Sequence, residues 1–417
     1  MKSLFPFLIL FVMTGASWAR ADESKPLTLA DCYALTLERS EKIGIQKELI
    51  EETEGRFLRA LGAVLPHLSF ASSDKRQDGS GGSAFTLKNV PERKFELNQT
   101  LFGGFKEAAA MAISRKERKQ RVHEKERIEQ LLLLDVSNAF YLLLEEREDL
   151  KAVSRTRKTL AKRITELQER ERLGRSRPSE VASVRADLRR IEAEEELVRS
   201  QETVAREILE FLTGRTPLGE IVDTAFLPLS LEAEEHYLKQ AVERPDLKAL
   251  QEAWEVSRKQ IVIARSPLWP SVSAEGNYYT ERAGAAAGVD WDATLEVNVP
   301  IFEGGQAYGA IKEAKARAQG AELRFSEAKR SASLDIRDTY VRLQAALERT
   351  RTLEKAVDAS EEDYRLQVED YRRNLVNNLD VLESLKKLYE ADRDFIHASY
   401  EAKRLYWELR VAVGETL

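Results

Sequence analysis

Phe95-Glu96-Leu97-Asn98, followed by Leu101-Phe102-Gly103-Gly104, recurs as Leu295-Glu296-Val297-Asn298, followed by Ile301-Phe302-Glu303-Gly304. The two blocks lie about 200 residues apart, and a repeat on that scale is the first thing a fold must explain. The same offset aligns Leu134-Asp135-Val136 with Leu334-Asp335-Ile336, Glu180-Val181 with Asp380-Val381, and Gly214 with Gly414. Upstream, Leu65-Pro66-His67-Leu68-Ser69 pairs with Trp269-Pro270-Ser271-Val272-Ser273 at a slightly larger offset. The loop near Gln77 to Ser83 is therefore expected to be longer than its partner near Arg282 to Gly288. One unit reads helix, strand, loop, strand, very long helix, turn, helix, and it occurs twice.

The strands are short. Trp291, Ala293, Leu295, Val297, Val299 and Ile301 alternate with Asp292, Thr294, Glu296 and Asn298, a period of two that marks a strand with one apolar and one polar face. Its length suits a membrane-barrel strand with one face to lipid and one to water. Val272, Ala274, Gly276 and Tyr278 alternate with Ser271, Ser273, Glu275 and Asn277 to supply its partner, and Leu68 to Lys75 and Phe95 to Leu101 form a weaker first copy. Taken alone, these strands fit a small soluble hairpin on a helical protein equally well.

The helices weigh more. Glu92 to Arg177 and Ile301 to the end contain no proline, and Ile128, Leu131, Leu132, Val136, Ala139, Leu143 and Leu150 step at helical spacing. Leu382, Leu385, Tyr389, Phe395, Ala402, Leu405 and Leu409 do the same, with Glu, Lys and Arg between them. These are long amphipathic helices of coiled-coil character whose stripes need neighbours. The stretch Gly104 to Gly174 spans roughly 105 Å as helix, whereas Glu180 to Phe211 spans about 48 Å and Ser40 to Gly62 about 34 Å. Two shorter helices end to end nearly match one long one, so each repeat predicts a two-stranded rod with a strand pair at one end.

Composition narrows the class. Met1-Lys2-Ser3, the apolar run Leu4 to Val12 and Ala19-Arg20-Ala21 read as a signal peptide over 1–21, with Ser17-Trp18-Ala19 a competing cut site. The apolar run is too short to span a bilayer as a helix. With 33% charged residues and a mean hydropathy of −0.44, no later stretch reads as a membrane helix. A net charge of −6 with both signs well mixed gives no nucleic-acid footprint. Cys32 is the lone cysteine, so a disulfide within one chain is excluded. His67, His123, His236 and His397 are scattered without ligand spacing, so neither a metal site, a cofactor nor a catalytic centre is expected. Gly79 to Gly82 and Gly284 to Gly288 fall between strands and read as turns.

Four strands per chain cannot close a barrel, and an open sheet edge has no hydrogen-bond partners in lipid. If the strands are membrane strands, chains must associate, and three of them supply twelve strands, enough to enclose an aqueous lumen. The expected fold is mainly α with membrane β: a tandem repeat forming part of a trimeric twelve-stranded barrel continued by a long periplasmic α-helical barrel. Residues 22–417 form one interleaved unit, with repeats 22–214 and 231–417 and barrel strands within 65–102 and 269–302.

The Leu-Pro-x-Leu-Ser strand start, the Leu-Phe-x-Gly-Gly junction, the tip Asn378-Leu379-Asp380-Val381-Leu382 and the tandem repeat resemble the TolC-type outer-membrane efflux proteins over the whole mature chain. That resemblance implies a homotrimer embedded in outer-membrane lipid, docked on an inner-membrane pump through a periplasmic adaptor (membrane fusion protein), and not an enzyme. It also assigns positions. The acidic pair ringing the tunnel entrance falls on Asp380 and Glu383, with Glu180 its counterpart in the first repeat. A latching tyrosine falls on Tyr371, while its basic partner is replaced by Val376. The adaptor-contacting turns fall on Gly174 with Arg175 and on Asn374 with Leu375. The alternative is a periplasmic coiled-coil structural or adaptor protein, which accounts for the rods but not for two alternating strand pairs.

Overall fold

The computed structural model describes residues 26–417 apart from 80, 81, 226 and 229. The expected signal peptide, 1–21, lies outside the described residues. The chain runs α1 (Leu29–Arg39), α2 (Glu41–Gly62), β1 (His67–Arg76), β2 (Asn89–Gly103), α3 (Lys106–Arg172) and α4 (Pro178–Thr213). It repeats as α5 (Glu234–Gln240), α6 (Pro245–Arg265), β3 (Ser271–Arg282), β4 (Trp291–Asn298), α7 (Gln306–Arg372) and α8 (Asn378–Val413). Helices α3 and α7 each have 67 residues, and α4 and α8 each have 36. The repeat is therefore kept to the residue through the helices, and loop 77–88 is longer than loop 283–290, where the offset changes.

Helix starts follow local chemistry. Pro178 and Pro245 stand in the first turns of α4 and α6, where a missing N–H costs nothing. Thr28 with Asp31 and Asn377 with Asp380 form capping boxes on α1 and α8. At the β2–α3 junction Gly104 has φ +68°, and a Cβ there would stand 2.5 Å from the Ser266 carbonyl oxygen. The Gly-Gly of the repeated block thus serves a close backbone approach as well as a turn.

The long helices α3 and α7, about 100 Å each at 1.5 Å per residue, run the length of the molecule. Around α3 pack α2 near the sheet and α4 beyond it, and around α7 pack α6 and then α8. The near half is ordered α2, α3, α6, α7 and the far half α4, α3, α8, α7. Seams repeat at heptad spacing: Val153, Leu160 and Leu167 on α3 meet Val184, Ile191 and Val198 on α4. On α7 the buried stripe is mostly alanine, Ala307, Ala314, Ala318 and Ala321, then Ala332, Ile336, Leu343 and Ala346, which lets backbones approach closely. No described helix is long and apolar enough to cross a membrane.

The sheet is antiparallel in the order β1-β2-β3-β4, so β1 and β4 are its two edges. Three boundaries differ clearly from the alternation pattern, the first being the end of β3, which runs on past Tyr278 to Arg282. Strand β4 stops at Asn298, short of Val299 and Ile301, just before Pro300, which has no N–H for the ladder. Strand β2 begins at Asn89, six residues before Phe95. That extension includes Pro91 and polar residues on both faces, so no alternation signalled it.

Candidate functional site

Two regions are candidates for function, the two faces of the sheet and the far end of the helices. Register places Phe70 opposite Phe95, Phe95 opposite Tyr278, and Tyr278 opposite Trp291, one aromatic row across all four strands. The Phe70 and Phe95 rings lie 5.1 Å apart. Leu68, Leu97, Gly276 and Ala293 form the next row, and Ala274 with Leu295 and Val272 with Val297 follow toward the helices. A second aromatic group, Phe102, Phe105 and Trp269, closes this face at the helix end with edge-to-face contacts at 5.1 and 5.6 Å. About nine residues separate Trp269 from Tyr278, roughly 30 Å along a strand. Tilted as barrel strands are, that matches an apolar band of about 25 Å between two aromatic girdles.

The opposite face is charged. Lys94 bonds Glu96, Arg282 approaches Glu92 and Asp292, and Asp292 accepts from Asn277 at 2.9 Å and from Tyr279 at 2.9 Å. Apolar outside and ionic inside is the arrangement of a strand between lipid and a wet lumen.

At the far end the two helix turns have matching geometry. Gly174 (φ +69°) and Asn374 (φ +63°) are both left-handed. Arg175 N donates to Arg170 O at 2.8 Å and Gly174 N to Glu171 O at 2.9 Å; Leu375 N donates to Asp370 O at 2.9 Å and Asn374 N to Tyr371 O at 3.0 Å. Both are Schellman turns, which satisfy carbonyls left over at the helix ends.

The acidic positions have partners within the chain. Asp380 accepts from the Asn377 backbone N–H at 2.9 Å and so closes the α8 cap. Glu383 lies 3.3 Å from Lys387, both largely exposed. Glu180 accepts from the Ser176 hydroxyl at 2.6 Å in the first turn of α4, the place Asp380 holds in α8.

Tyr371 is buried and sits between two guanidiniums, Arg163 at 3.9 Å and Arg170 at 4.5 Å from its ring. Arg163, itself buried, donates to the Asn378 side chain at 3.0 Å. The tyrosine is thus held by cation–π stacking to α3 of its own chain, and Val376 packs on the apolar cluster around it. Arg163 was not among the residues singled out from sequence. Its only signal was a charge standing where the apolar stripe of α3 should continue.

A second set missed from sequence lies on the seam between α3 and α8. Arg393 donates to both oxygens of buried Asp149 at 2.7 Å and to Glu194 at 2.7 Å, and Glu145 accepts from His397 at 2.5 Å and from Arg404. Burial pushes the Glu145 carboxyl up, but the bonds from His397 and Arg404 outweigh it and hold it below its ordinary value. The bond to Glu145 in turn raises His397. Burial, then the charges of Glu145 and Asp149, raise Glu146 beside them. Among the described residues no group of histidine, cysteine and carboxylates is placed to hold a metal ion.

This architecture has known counterparts. The family described as outer membrane efflux protein matches residues 238–415. The chain is 24% identical to outer membrane protein TolC of Vibrio cholerae over 69% of its length and 68% of the relative's. It is 24% identical to the alkaline protease secretion protein AprF of Pseudomonas aeruginosa over 94% and 85% respectively. Its fold superposes on the outer membrane protein VceC of Vibrio cholerae with a TM-score of 0.81, at 19% identity, covering 93% of this chain and 96% of that one. The chain is thus similar to the TolC-type outer-membrane efflux proteins over nearly its whole length. Like them it resides in the outer membrane and extends into the periplasm, and it transports rather than catalyses.

Proposed function

We propose that the protein is the outer-membrane duct of an efflux or type I secretion system, acting as a homotrimer that receives cargo from an inner-membrane pump through a periplasmic adaptor. The observation that carries this is the pair of unlike, unsatisfied edges that runs the whole length of the chain. On one side lie bare strand β1 and the exposed apolar residues Leu197, Val204, Ile208 and Phe211 of α4; on the other lie bare strand β4 and exposed Leu323, Leu334 and Val341 of α7. Edges that differ pair head to tail, and a head-to-tail contact that closes makes a ring. A ring of three yields twelve strands and leaves no edge in lipid.

The strand face supplies the test. Leu295 lies between the two aromatic groups, so Leu295→Arg is expected to cost about 2–4 kcal/mol of membrane stability. Thr294→Arg faces the lumen and should insert normally. Outer-membrane yield of heat-resistant trimer and its conductance in planar bilayers would be compared for the two. Equal yields would remove the membrane assignment of this face, and wild-type trimers without conductance would remove the duct.

A further inference from the structure

The stacking of Tyr371 between Arg163 and Arg170 brings the turn of the first repeat level with the turn of the second, so the far end of each chain is one surface. That surface is unlike the shafts behind it. Along the helices arginines pair with carboxylates a turn away or on the next helix, as Arg189 does with Glu192, Arg206 with Glu202 and Arg349 with Glu401. At the end, Arg172, Arg175, Arg177, Arg372 and Arg373 are all exposed, and among the described residues none of their guanidiniums has an ion pair or a hydrogen bond. Beside them stand three largely exposed leucines: Leu173, Leu375 and Leu379, exposed to 70%, 69% and 66%.

Carboxylates are within sequence reach of these arginines, yet among the described residues none pairs with them: Glu169, Glu171 and Asp370 make no ion pair, and three others are engaged locally. Asp380 caps α8, Glu180 takes the Ser176 hydroxyl, and Glu369 lies 4.0 Å from Arg365. The free donors are therefore surplus to the fold. Guanidiniums bind carboxylates bidentately and directionally, and a like-charged partner would be repelled. The leucines offer apolar area that gains from being covered. Both turns are held by paired backbone hydrogen bonds, so charge and apolar groups are offered at fixed spacing. A fixed pattern suits a partner with fixed shape better than a fluid headgroup layer.

The geometry points to a protein partner whose docking surface carries aspartate or glutamate around an apolar centre, bound by Arg172, Arg175, Arg372 and Arg373 about Leu173, Leu375 and Leu379. This rests on the adaptor-docking reading of the two turns and adds the chemistry of what docks.

The test uses the full chain in cells, with a photocrosslinking amino acid at position 375 and the captured peptide identified by mass spectrometry. The expected capture is a periplasmic protein segment with acidic residues beside the crosslink. Arg172, Arg175, Arg372 and Arg373 changed together to Gln should reduce capture at least tenfold with the trimer intact, since among the described residues these guanidiniums make no ion pair or hydrogen bond. Changing them to Glu should abolish capture, and changing the partner's acids to Arg should restore it. Undiminished capture in the Gln variant overturns the charge complementarity while leaving docking in place, as does a captured segment without acids. Absence of any protein capture, with the purified trimer binding anionic but not zwitterionic vesicles, overturns both the proposal and the docking assignment.

Discussion

At Gly174 and Asn374 the repeat performs a substitution experiment on itself, because two residues occupy one left-handed position in two copies of the same turn. No atom lies within 4 Å of where a Cβ would stand at Gly174, so any cost of substitution there comes from φ and not from crowding. Gly174→Asn is accordingly expected to leave thermal stability and adaptor crosslinking near wild type. Gly174→Val should weaken crosslinking with the trimer intact, because a β-branched residue resists positive φ. Similar crosslinking for the Val and Asn variants would remove the turn from the docking surface. These two positions were legible in sequence because the repeat aligned them and both residue types tolerate the conformation. The packing of Tyr371 was not: its stacking on Arg163 and Arg170 depends on how two helices from different repeats meet, and no spacing within one helix encodes that.

Among the elements, the seam of α3 against α8 is set apart by carboxylates buried within it, Asp149 bound by Arg393 and Glu145 by His397 and Arg404. Glu145, Glu146 and Asp149 face it from α3, and Arg393, His397, Glu401 and Arg404 from α8. His397 is raised by its bond to Glu145, so its contribution is complete below the ordinary histidine value of 6.5 and is lost as pH rises through the raised one. Glu145 is lowered, so its contribution is present above the ordinary carboxylate value of 4.5 and is lost as pH falls through the lowered one. The seam is therefore firmest between those two ordinary values. The melting temperature of wild type should exceed that of His397→Gln most near about pH 6, and the gap should close toward about pH 9. A gap that does not change with pH would show that the imidazolium is not what holds the seam. Helix lengths, the repeat and the strand pairs could be read in advance because each rests on local periodicity. This seam could not, since Asp149 and Arg393 are distant in sequence and look like any other charges on a long polar helix.

For the whole molecule the question is what threefold closure does to the acids near the turn. Asp380 and Glu383 are three residues apart and share a helix face. Within one chain both have local work, Asp380 in the cap and Glu383 beside Lys387. That local work does not remove these groups from the surface: a cap uses an acid favoured at a helix N-terminus, and an exposed Glu–Lys pair is worth little and is readily displaced. If the helices converge on the axis, these two carboxylates per chain, joined by Glu180 at the matching position of α4, meet their symmetry copies. Like charges brought together hold counter-cations, and salt screens the effect. The unpaired arginines lie on the turns themselves, beyond Asp380, and make a basic rim outside an acidic ring. The trimer in planar bilayers is thus expected to be cation-selective and to be blocked by di- or trivalent cations from the periplasmic side. Asp380→Asn with Glu383→Gln, which keeps side-chain size and a carbonyl acceptor for the cap, should lose most of the block, and raising salt should weaken it in the wild type. An unchanged blocking constant in the double variant would place these carboxylates outside the conducting path.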